Sequence, residues 1–271
     1  MLVLLLSFPT PAGAQARPVL HQRLVGQLGP MGAEHALALG VRADLGDPDE
    51  PLFAGAHAEA GVVDYTSPIY SNNGLYLEVS PLAFLVLRGT LTATAVWPIG
   101  MPGAGYYGTQ SPALPALDGE AGEAAHGFTA TFSTILQMAV PLGPLRAIAW
   151  SELSLEHVRL GEMPFYYSAR HDAVLARDDD VLGNWAMALL EIPVASDLAL
   201  RLGAFHDLRH VASSDVTYQQ LGGVAMLGAT RPIPEIGELL AFARAGAFVE
   251  HERRAGDFTL LAGLLIRYEL R

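Results

Sequence analysis

The chain has 271 residues, of which 51% are hydrophobic and only 16% are charged, and its formal net charge is −12. Soluble domains usually have about a quarter of their residues charged, so this composition does not favour an ordinary water-exposed surface. The negative charge argues against nucleic acid as a partner, because phosphate binding needs a basic stripe. The absence of cysteine excludes disulfides and thiolate metal sites.

The first residues favour export. Residues 2–8 form a short apolar run, and Ala14, Gln15 and Ala16 match a small-residue cleavage site. The run is too short for a transmembrane helix, which takes about 20 apolar residues. We therefore predict a cleaved signal peptide over residues 1–16, a periplasmic N-terminal segment over residues 17–32, and one β domain over residues 33–271.

Polar and apolar residues alternate one by one through most of the chain after residue 33. Around Leu202, for example, the even positions are mainly apolar, whereas the odd positions include Arg201 and Asp207. A period of two is typical of strands with one apolar face. A tilted membrane strand needs about 9–11 residues. Ten segments of about that length are predicted as strands: residues 33–44, 52–64, 82–97, 127–140, 145–159, 184–193, 197–211, 217–230, 239–251 and 258–270.

The connections between these segments are of two kinds. Residues 141–144 form a short turn with proline and glycine, whereas residues 98–126 and 160–183 are long. Outer-membrane barrels have short periplasmic turns and longer external loops. With both termini in the periplasm, the two long segments are predicted to be external loops. If residues 74–80 and 165–176 are also strands, the count rises from about ten to about twelve.

The alternation, the connection lengths and the export signal resemble those of bacterial outer-membrane β-barrel proteins, as an architecture and without a motif of any specific family. The resemblance implies an all-β, antiparallel up-and-down transmembrane β-barrel of about ten strands, or alternatively twelve. It also implies a location in the outer membrane of a Gram-negative bacterium. The polar faces carry Thr, Ser, Gly and charges of both signs, which suits a wet lumen. The apolar faces are therefore predicted to contact outer-membrane lipids.

Charges of opposite sign recur on the polar faces, so they are predicted to pair across the lumen and largely fill it. About eight strands already give an interior filled by side chains, and the diameter grows with strand number. The predicted lumen charge network consists of Arg42, Arg88, Arg146, Glu152, Arg201, Asp207, Arg244, Arg267 and Glu269.

Two other groups of residues are candidate functional sites. Asp207 and His210 on one predicted strand, with Glu250, His251 and Glu252 near the end of another, resemble the rim residues of the omptin outer-membrane proteases. Asp207 and His210 differ in parity, however, so only one of them points into the lumen. The second group consists of His171, Asp172, Asp178, Asp179 and Asp180. Carboxylates suit Ca²⁺, but a solvated acidic loop is the favoured interpretation of this group.

The sequence thus predicts an integral outer-membrane protein with a structural role, or a binding role for an unidentified ligand at the external loops. It predicts no catalytic residues, no metal and no cofactor, and hence no enzyme. The alternative is a porin-like channel for small solutes. A third hypothesis is a hydrolase that uses Asp and His residues at the rim or a lipase-like Ser with His and Asn or Glu, although no lipase motif stands at a strand end.

Overall fold

The computed structural model describes residues 16–29, 31–47, 49–101, 103–115, 117, 122–230, 233 and 237–269. These residues form strands and no helix, so they contain no helix that is long and apolar enough to cross a membrane. The strands are β1 Arg17–Leu28, β2 Gly32–Asp44, β3 His57–Thr66, β4 Tyr70–Leu82, β5 Leu85–Val96, β6 Tyr107–Thr109, β7 Ala125–Leu142, β8 Leu145–Leu160, β9 Phe165–Ser168, β10 Ala173–Ala176, β11 Asp178–Ala195, β12 Leu198–Val211, β13 Val216–Ala229, β14 Glu238–Glu250 and β15 Phe258–Glu269.

Twelve of these strands form a closed antiparallel barrel in the order β1-β15-β14-β13-β12-β11-β8-β7-β5-β4-β3-β2. Neighbours in the chain are neighbours in the sheet, and β1 pairs with β15 to close it. Closure leaves no unpaired strand edge, which is the condition for a sheet to lie in hydrocarbon. The all-β up-and-down barrel predicted from the sequence is therefore confirmed.

The connections divide between the two ends of the barrel. At the end that we call the turn end lie the first residues of β1, the last described residues of β15 and the described residues of the connections 45–56, 83–84, 143–144, 196–197 and 230–237. At the opposite end, the loop end, lie the described residues of the connections 29–31, 67–69, 97–124, 161–177, 212–215 and 251–257. The two long segments predicted as external loops thus share one end, and the turn at residues 141–144 lies at the other.

The alternation of the sequence becomes an outer apolar face and an inner polar face. Leu75 and Leu264 are 62% and 46% exposed on the outside, whereas Thr92 and Glu59 are 3% and 1% exposed on the inside. Glycine lines the inner face at several pairing positions, such as Gly40 opposite Gly61. This arrangement is that of a barrel with lipid outside and a polar interior.

The barrel has twelve strands, which confirms the higher of the two predicted counts. Residues 17–32, predicted to be a periplasmic segment ahead of the barrel, instead supply β1 and the first residue of β2. Residues 74–80 belong to β4, as the higher count required. The predicted signal peptide, residues 1–16, falls outside the described residues except for Ala16 and stays a prediction.

The other segment added in the twelve-strand prediction, residues 165–176, is not a strand of the barrel. Residues 165–176 form two short strands, β9 and β10, which pair with β6 in a separate three-stranded sheet. Strands of four residues are too short to span a bilayer. We call this sheet the mouth sheet, because it lies in the two long connections of the loop end. This sheet packs against the barrel through Tyr166, Leu175 and the adjacent Tyr106. These side chains form an apolar cluster with Val158, Val181, Val211 and Phe248 of the barrel.

Candidate functional site

Side chains fill the lumen toward the turn end. Buried Glu59 accepts hydrogen bonds from His21 and Tyr76, each at 2.7 Å, and lies 3.9 Å from Arg42. On the opposite wall, Leu189, Phe205, Val224 and Met226 form a buried apolar cluster, with Ile148, Met187, Leu240 and Phe242 packed against it. The turn-end half of the lumen therefore carries a charged group on one side and an apolar group on the other.

The charged group includes His57, Glu59 and Glu78, whose ligand-type atoms lie within 4.8 Å of one another. The sequence alone does not indicate this combination, because its residues come from two strands, β3 and β4. Arg42 lies 2.9 Å from His57 Nδ1, and Arg88 lies 2.6 Å from the Glu78 carboxylate. Since two arginines already balance the two carboxylates, the group is electrically satisfied as an ion-pair network.

Seven members of the predicted charge network make ion pairs on the inner face. Arg201 Nε and Arg146 Nη2 lie 2.7 and 2.8 Å from the two oxygens of Glu191, which was not among the predicted residues. Asp207 lies 3.3 Å from Arg244 and 3.5 Å from Arg209. The remaining pairs are Arg42 with Glu59 and Asp44, Arg88 with Glu78, and Arg267 with Glu238.

The two remaining members of the predicted charge network are the carboxylates Glu152 and Glu269. Glu152 lines the lumen on β8, opposite Trp185 of β11. The side chain of Glu269 lies outside the described part of the molecule. The pairs that do form are between neighbouring or nearby strands, so they cover the wall of the lumen rather than bridging its full width.

A cavity of about 1350 Å³ lies in the lumen, and its lining extends from Met101 at the loop end to Met226 and Leu265 in the turn-end halves of β13 and β15. The prediction that side chains largely fill the lumen therefore does not hold over the extent of this cavity. One wall, on β2, β3, β14 and β15, is mainly apolar and includes Val63, Phe242, Leu261 and Leu265, whereas β1, between β2 and β15, contributes His21, Gln22, Arg23 and Gln27 beside Val25. The facing wall, on β5, β7, β8 and β11, is mainly polar and includes Thr90, Thr131, Ser133, Ser154 and Asn184.

The cavity lining has the opposite charge balance to the whole chain. Of the 16 cationic side chains of the sequence, all arginine, seven line the cavity, whereas only four of its 28 carboxylates do. Two further carboxylates, Glu78 and Asp172, pair with these arginines from outside the lining. The lining arginines are Arg23, Arg88, Arg170, Arg209, Arg244, Arg253 and Arg254, and the lining carboxylates are Glu34, Glu152, Glu156 and Asp207.

The turn between β9 and β10 reaches into the lumen. Ser168 Oγ donates a hydrogen bond of 2.8 Å to His171 Nδ1, and His171 Nε2 donates one of 2.8 Å to Glu156 Oε1 of β8. Arg170 Nη1 contacts the same carboxylate oxygen at 2.9 Å. His171 is 4% exposed and Ser168 is half-buried. Burial lowers the pKa of His171, although the nearby Glu156 carboxylate acts in the opposite direction, so the imidazole is neutral at neutral pH.

The next residue, Asp172, fastens this turn to the connection at residues 251–257. It accepts a hydrogen bond of 2.6 Å from Tyr167, and it contacts Arg253 at 3.3 Å, His251 at 3.3 Å and Arg254. Burial alone would raise its pKa, but hydrogen bonds from His251, Arg254 and Tyr167 hold that pKa well below its usual range. Two loop-end connections are thus joined around one buried carboxylate.

The structure separates the residues of the rim-protease hypothesis. Asp207 faces the lumen beside Arg244, whereas His210 lies on the outer face and contacts Thr217 of β13 at 3.0 Å. Glu250 accepts a hydrogen bond from Gln219, and His251 turns toward Asp172. The difference in parity predicted from the sequence therefore keeps Asp207 and His210 apart.

The acidic residues that were weighed as a Ca²⁺ site also have separate partners. Asp178 and Asp180 flank the exposed ring of His157, each at 2.9 Å. Asp179 points the other way and accepts hydrogen bonds from Ser213 and from the backbone of Ala176. The five residues do not converge on a common point.

No protein-family model and no curated protein matches this chain. Among solved structures, it is similar to LpxR from Salmonella typhimurium, with a TM-score of 0.50 and 13% identity over 93% of this chain and 100% of that one. It is also similar to the β domain of the Bordetella autotransporter BrkA (TM-score 0.44, 14% identity, 93% and 98% covered). A third similar structure is OmpT, an outer membrane protein of Vibrio cholerae (TM-score 0.38, 8% identity, 95% and 97% covered).

These structures are bacterial outer-membrane β-barrels, and the chain has the fold of that class, as the sequence predicted. The fold supports a location in the outer membrane. At such low identity the similarity concerns the fold alone, and what the protein does must be argued from its own lumen.

Proposed function

We propose that this protein is an outer-membrane binding protein that takes an anionic amphiphile into the lumen from the loop end. The observation that carries the proposal is the cavity, which combines an excess of arginine with one apolar and one polar wall. Arginine pairs well with phosphate and carboxylate groups, because its planar guanidinium presents several donors. An apolar wall contributes about 25 cal/mol for each Å² of hydrocarbon that it covers.

The binding role is favoured over an open channel by the side chains at the turn end. The buried Phe205 and Met226 on one wall and the Glu59 group on the other occupy the region through which a solute would have to leave. A cavity that opens at one end and is obstructed at the other retains a ligand rather than conducting it.

A direct test uses the protein folded in non-ionic detergent and an ether-linked lysophosphatidic acid, which has one chain and one phosphate. Trp185 lines the cavity, so its fluorescence reports occupation. We expect the lysophosphatidic acid to bind saturably. The lysophosphatidylcholine with the same hydrocarbon chain, which lacks a net negative charge, should bind at least about 10-fold more weakly. Equal affinity for both lipids would contradict the proposal.

Variants locate the binding in the cavity. Arg244→Gln and Arg209→Gln remove lining cations, and each should weaken binding by about 10-fold, the effect of one charge-assisted hydrogen bond. Arg146→Gln is the matched control, because Arg146 lies at the turn end and pairs with Glu191. Loss of binding in the control as well would indicate a general effect on the barrel.

A further inference from the structure

We propose that Ser168, His171 and Glu156 form the reacting group of a serine ester hydrolase that cleaves a carboxylic ester of the amphiphile held in the lumen. This inference rests on the proposed binding function. It goes beyond the predicted hydrolase hypotheses, because Asp207 and His210 take no part in it and because Ser168 follows no lipase motif.

The first argument is the hydrogen-bond chain itself. A hydroxyl, an imidazole and a carboxylate follow one another at 2.8 Å and 2.8 Å, which is the spacing of a nucleophile, its general base and the group that orients the base. The neutral imidazole accepts from Ser168 through Nδ1 and donates to Glu156 through Nε2. Such a group is recognised by geometry and roles rather than by its order in the chain.

The second argument is the position of this chain of groups. His171 and Glu156 line the large cavity, and Ser168 and His171 line a small adjoining cavity of about 30 Å³ between Tyr70, Asn72 and the mouth sheet. A space of that size holds a water molecule, since about 10–15 Å³ of such volume suffices. The small cavity therefore has room for a hydrolytic water beside the hydroxyl, and His171, which lines both cavities, lies where the two adjoin.

The proposed reaction has two balanced steps. Ser168 Oγ attacks the ester carbonyl carbon while His171 Nδ1 takes the hydroxyl proton; the C–O bond to the alcohol then breaks, and His171 returns the proton to the leaving alkoxide. Water next attacks the acyl-serine ester, with His171 taking and returning one proton, and a carboxylic acid and free Ser168 result. Glu156 is a positioning residue, because it acts on the imidazole and not on the substrate.

The competing explanation is a turn stabilised by its own side chains. The backbone N–H of His171 donates to the carbonyl of Ser168 at 3.2 Å, and Arg170 shares the Glu156 oxygen, so the same contacts also hold residues 168–171 in shape. A structural turn needs no nucleophilic hydroxyl. The two explanations therefore differ in the chemical reactivity of Ser168, which can be measured.

The experiment uses the folded protein in detergent, a tagged fluorophosphonate and 1-palmitoyl lysophosphatidic acid, the ester counterpart of the ether probe. We expect the reagent to modify Ser168, as located by peptide mass spectrometry, and palmitate to be released. Ser168→Ala should lower palmitate release at least about 1000-fold while binding the ether probe within about 2-fold of the unmodified protein. Ser196→Ala, at an exposed serine of the turn-end connection, should keep both properties.

Glu156→Gln tests the positioning role. It removes a negative charge beside the imidazole, so the rate should fall and the acid limb of the pH–rate profile should move to lower pH. A uniform loss of rate without a shift of the profile would contradict this role, because the rate would then not follow the protonation of His171 beside Glu156.

The outcomes separate the two proposals. Binding of the ether probe without modification of Ser168 and without palmitate release would overturn the hydrolase and leave the binding function in place. Modification or hydrolysis that persists in Ser168→Ala would overturn the assignment of the nucleophile. Palmitate release without saturable binding of the ether probe would overturn the binding function instead.

Discussion

His171 of the β9–β10 turn and Glu156 of β8 are joined by a hydrogen bond of 2.8 Å, which ties a loop-end connection to the inner wall of the barrel. Both side chains are buried, at 4% and 8% exposure. A buried carboxylate without partners would cost several kcal/mol, so His171 and Arg170 stabilise Glu156 in its buried position. Glu156 in return holds the β9–β10 turn against the barrel wall. The position of the mouth sheet and the electrostatics of the cavity therefore depend on the same contact.

The first prediction is that the β9–β10 turn loosens as the pH falls. Burial lowers the pKa of His171, so the unfolded chain, whose histidine titrates near about 6.5, binds the proton before the folded turn does. The stability from neutral His171 is thus complete above about pH 6.5 and declines as the pH falls toward the lowered folded pKa. A nitroxide attached at Ala169→Cys should become more mobile over this range.

His171→Gln is the control for that titration. The spectrum of the label in this variant should stay constant between about pH 7 and pH 5, because glutamine does not bind a proton. A transition that remains in the variant would assign the effect to another group.

The second prediction concerns Asp172, which has a positive φ of 51°. Asp172→Asn keeps a residue type that tolerates this backbone, but it removes the charge that Arg253 and Arg254 contact. We expect a loss of about 1–3 kcal/mol in the docking of the turn, measured as faster proteolysis at residues 161–177. Asp215→Asn is the matched control: Asp215 has a φ of 53°, but its side chain is 96% exposed, so little should change.

The third prediction uses two adjacent residues of β15. Leu264 is 46% exposed on the outer face, whereas Leu265 lines the cavity. Leu264→Arg should cost about 2–4 kcal/mol, the penalty for arginine on the lipid face near the bilayer midplane, and should reduce assembly in a heat-modifiability gel. Leu265→Arg places the same side chain in the lumen and should assemble better. Equal assembly of the two variants would contradict the assignment of Leu264 to the lipid-facing side and of Leu265 to the lumen.

The fourth prediction concerns the tyrosine that reaches Glu59. Gly40 and Gly61 are paired on β2 and β3, and the Tyr76 hydroxyl lies 2.1 Å from where a Cβ of residue 40 would stand. Gly40→Ala should therefore displace Tyr76 and cost about 1–3 kcal/mol of stability, measured by urea unfolding in detergent. Gly26→Ala has no atom within 4 Å of the added Cβ and should be tolerated.

The sequence predicts the barrel well, because period two is a direct consequence of having lipid on one side and water on the other. It missed β1, where Val19 is fully buried on the inner face and Gln22 lies on the outer face, which blurs the alternation. In β4, Asn72, Asn73 and Gly74 resemble a turn although they lie in the sheet.

The candidate site was predictable only in part. The inward arginines follow from parity along each strand, since side chains alternate faces strictly. The meeting of His171 with Glu156 does not, because it depends on a connection that folds back into the lumen. The one local signal was the Ser168-x-x-His171 spacing, which is too common in turns to identify a site.

The last prediction is that the unmodified protein shows no large, steady conductance in planar bilayers, because side chains close the turn end. Phe205 is 2% exposed within the apolar cluster there. Phe205→Ala should cost about 3–5 kcal/mol of stability and, by leaving a gap beside Met226, should produce measurable conductance steps. Phe132→Ala is the matched control, since Phe132 is 54% exposed on the outer face, and it should leave the conductance unchanged. A large conductance in the unmodified protein would make the channel hypothesis the better one, because ions would then cross the region that the cluster and the Glu59 group occupy.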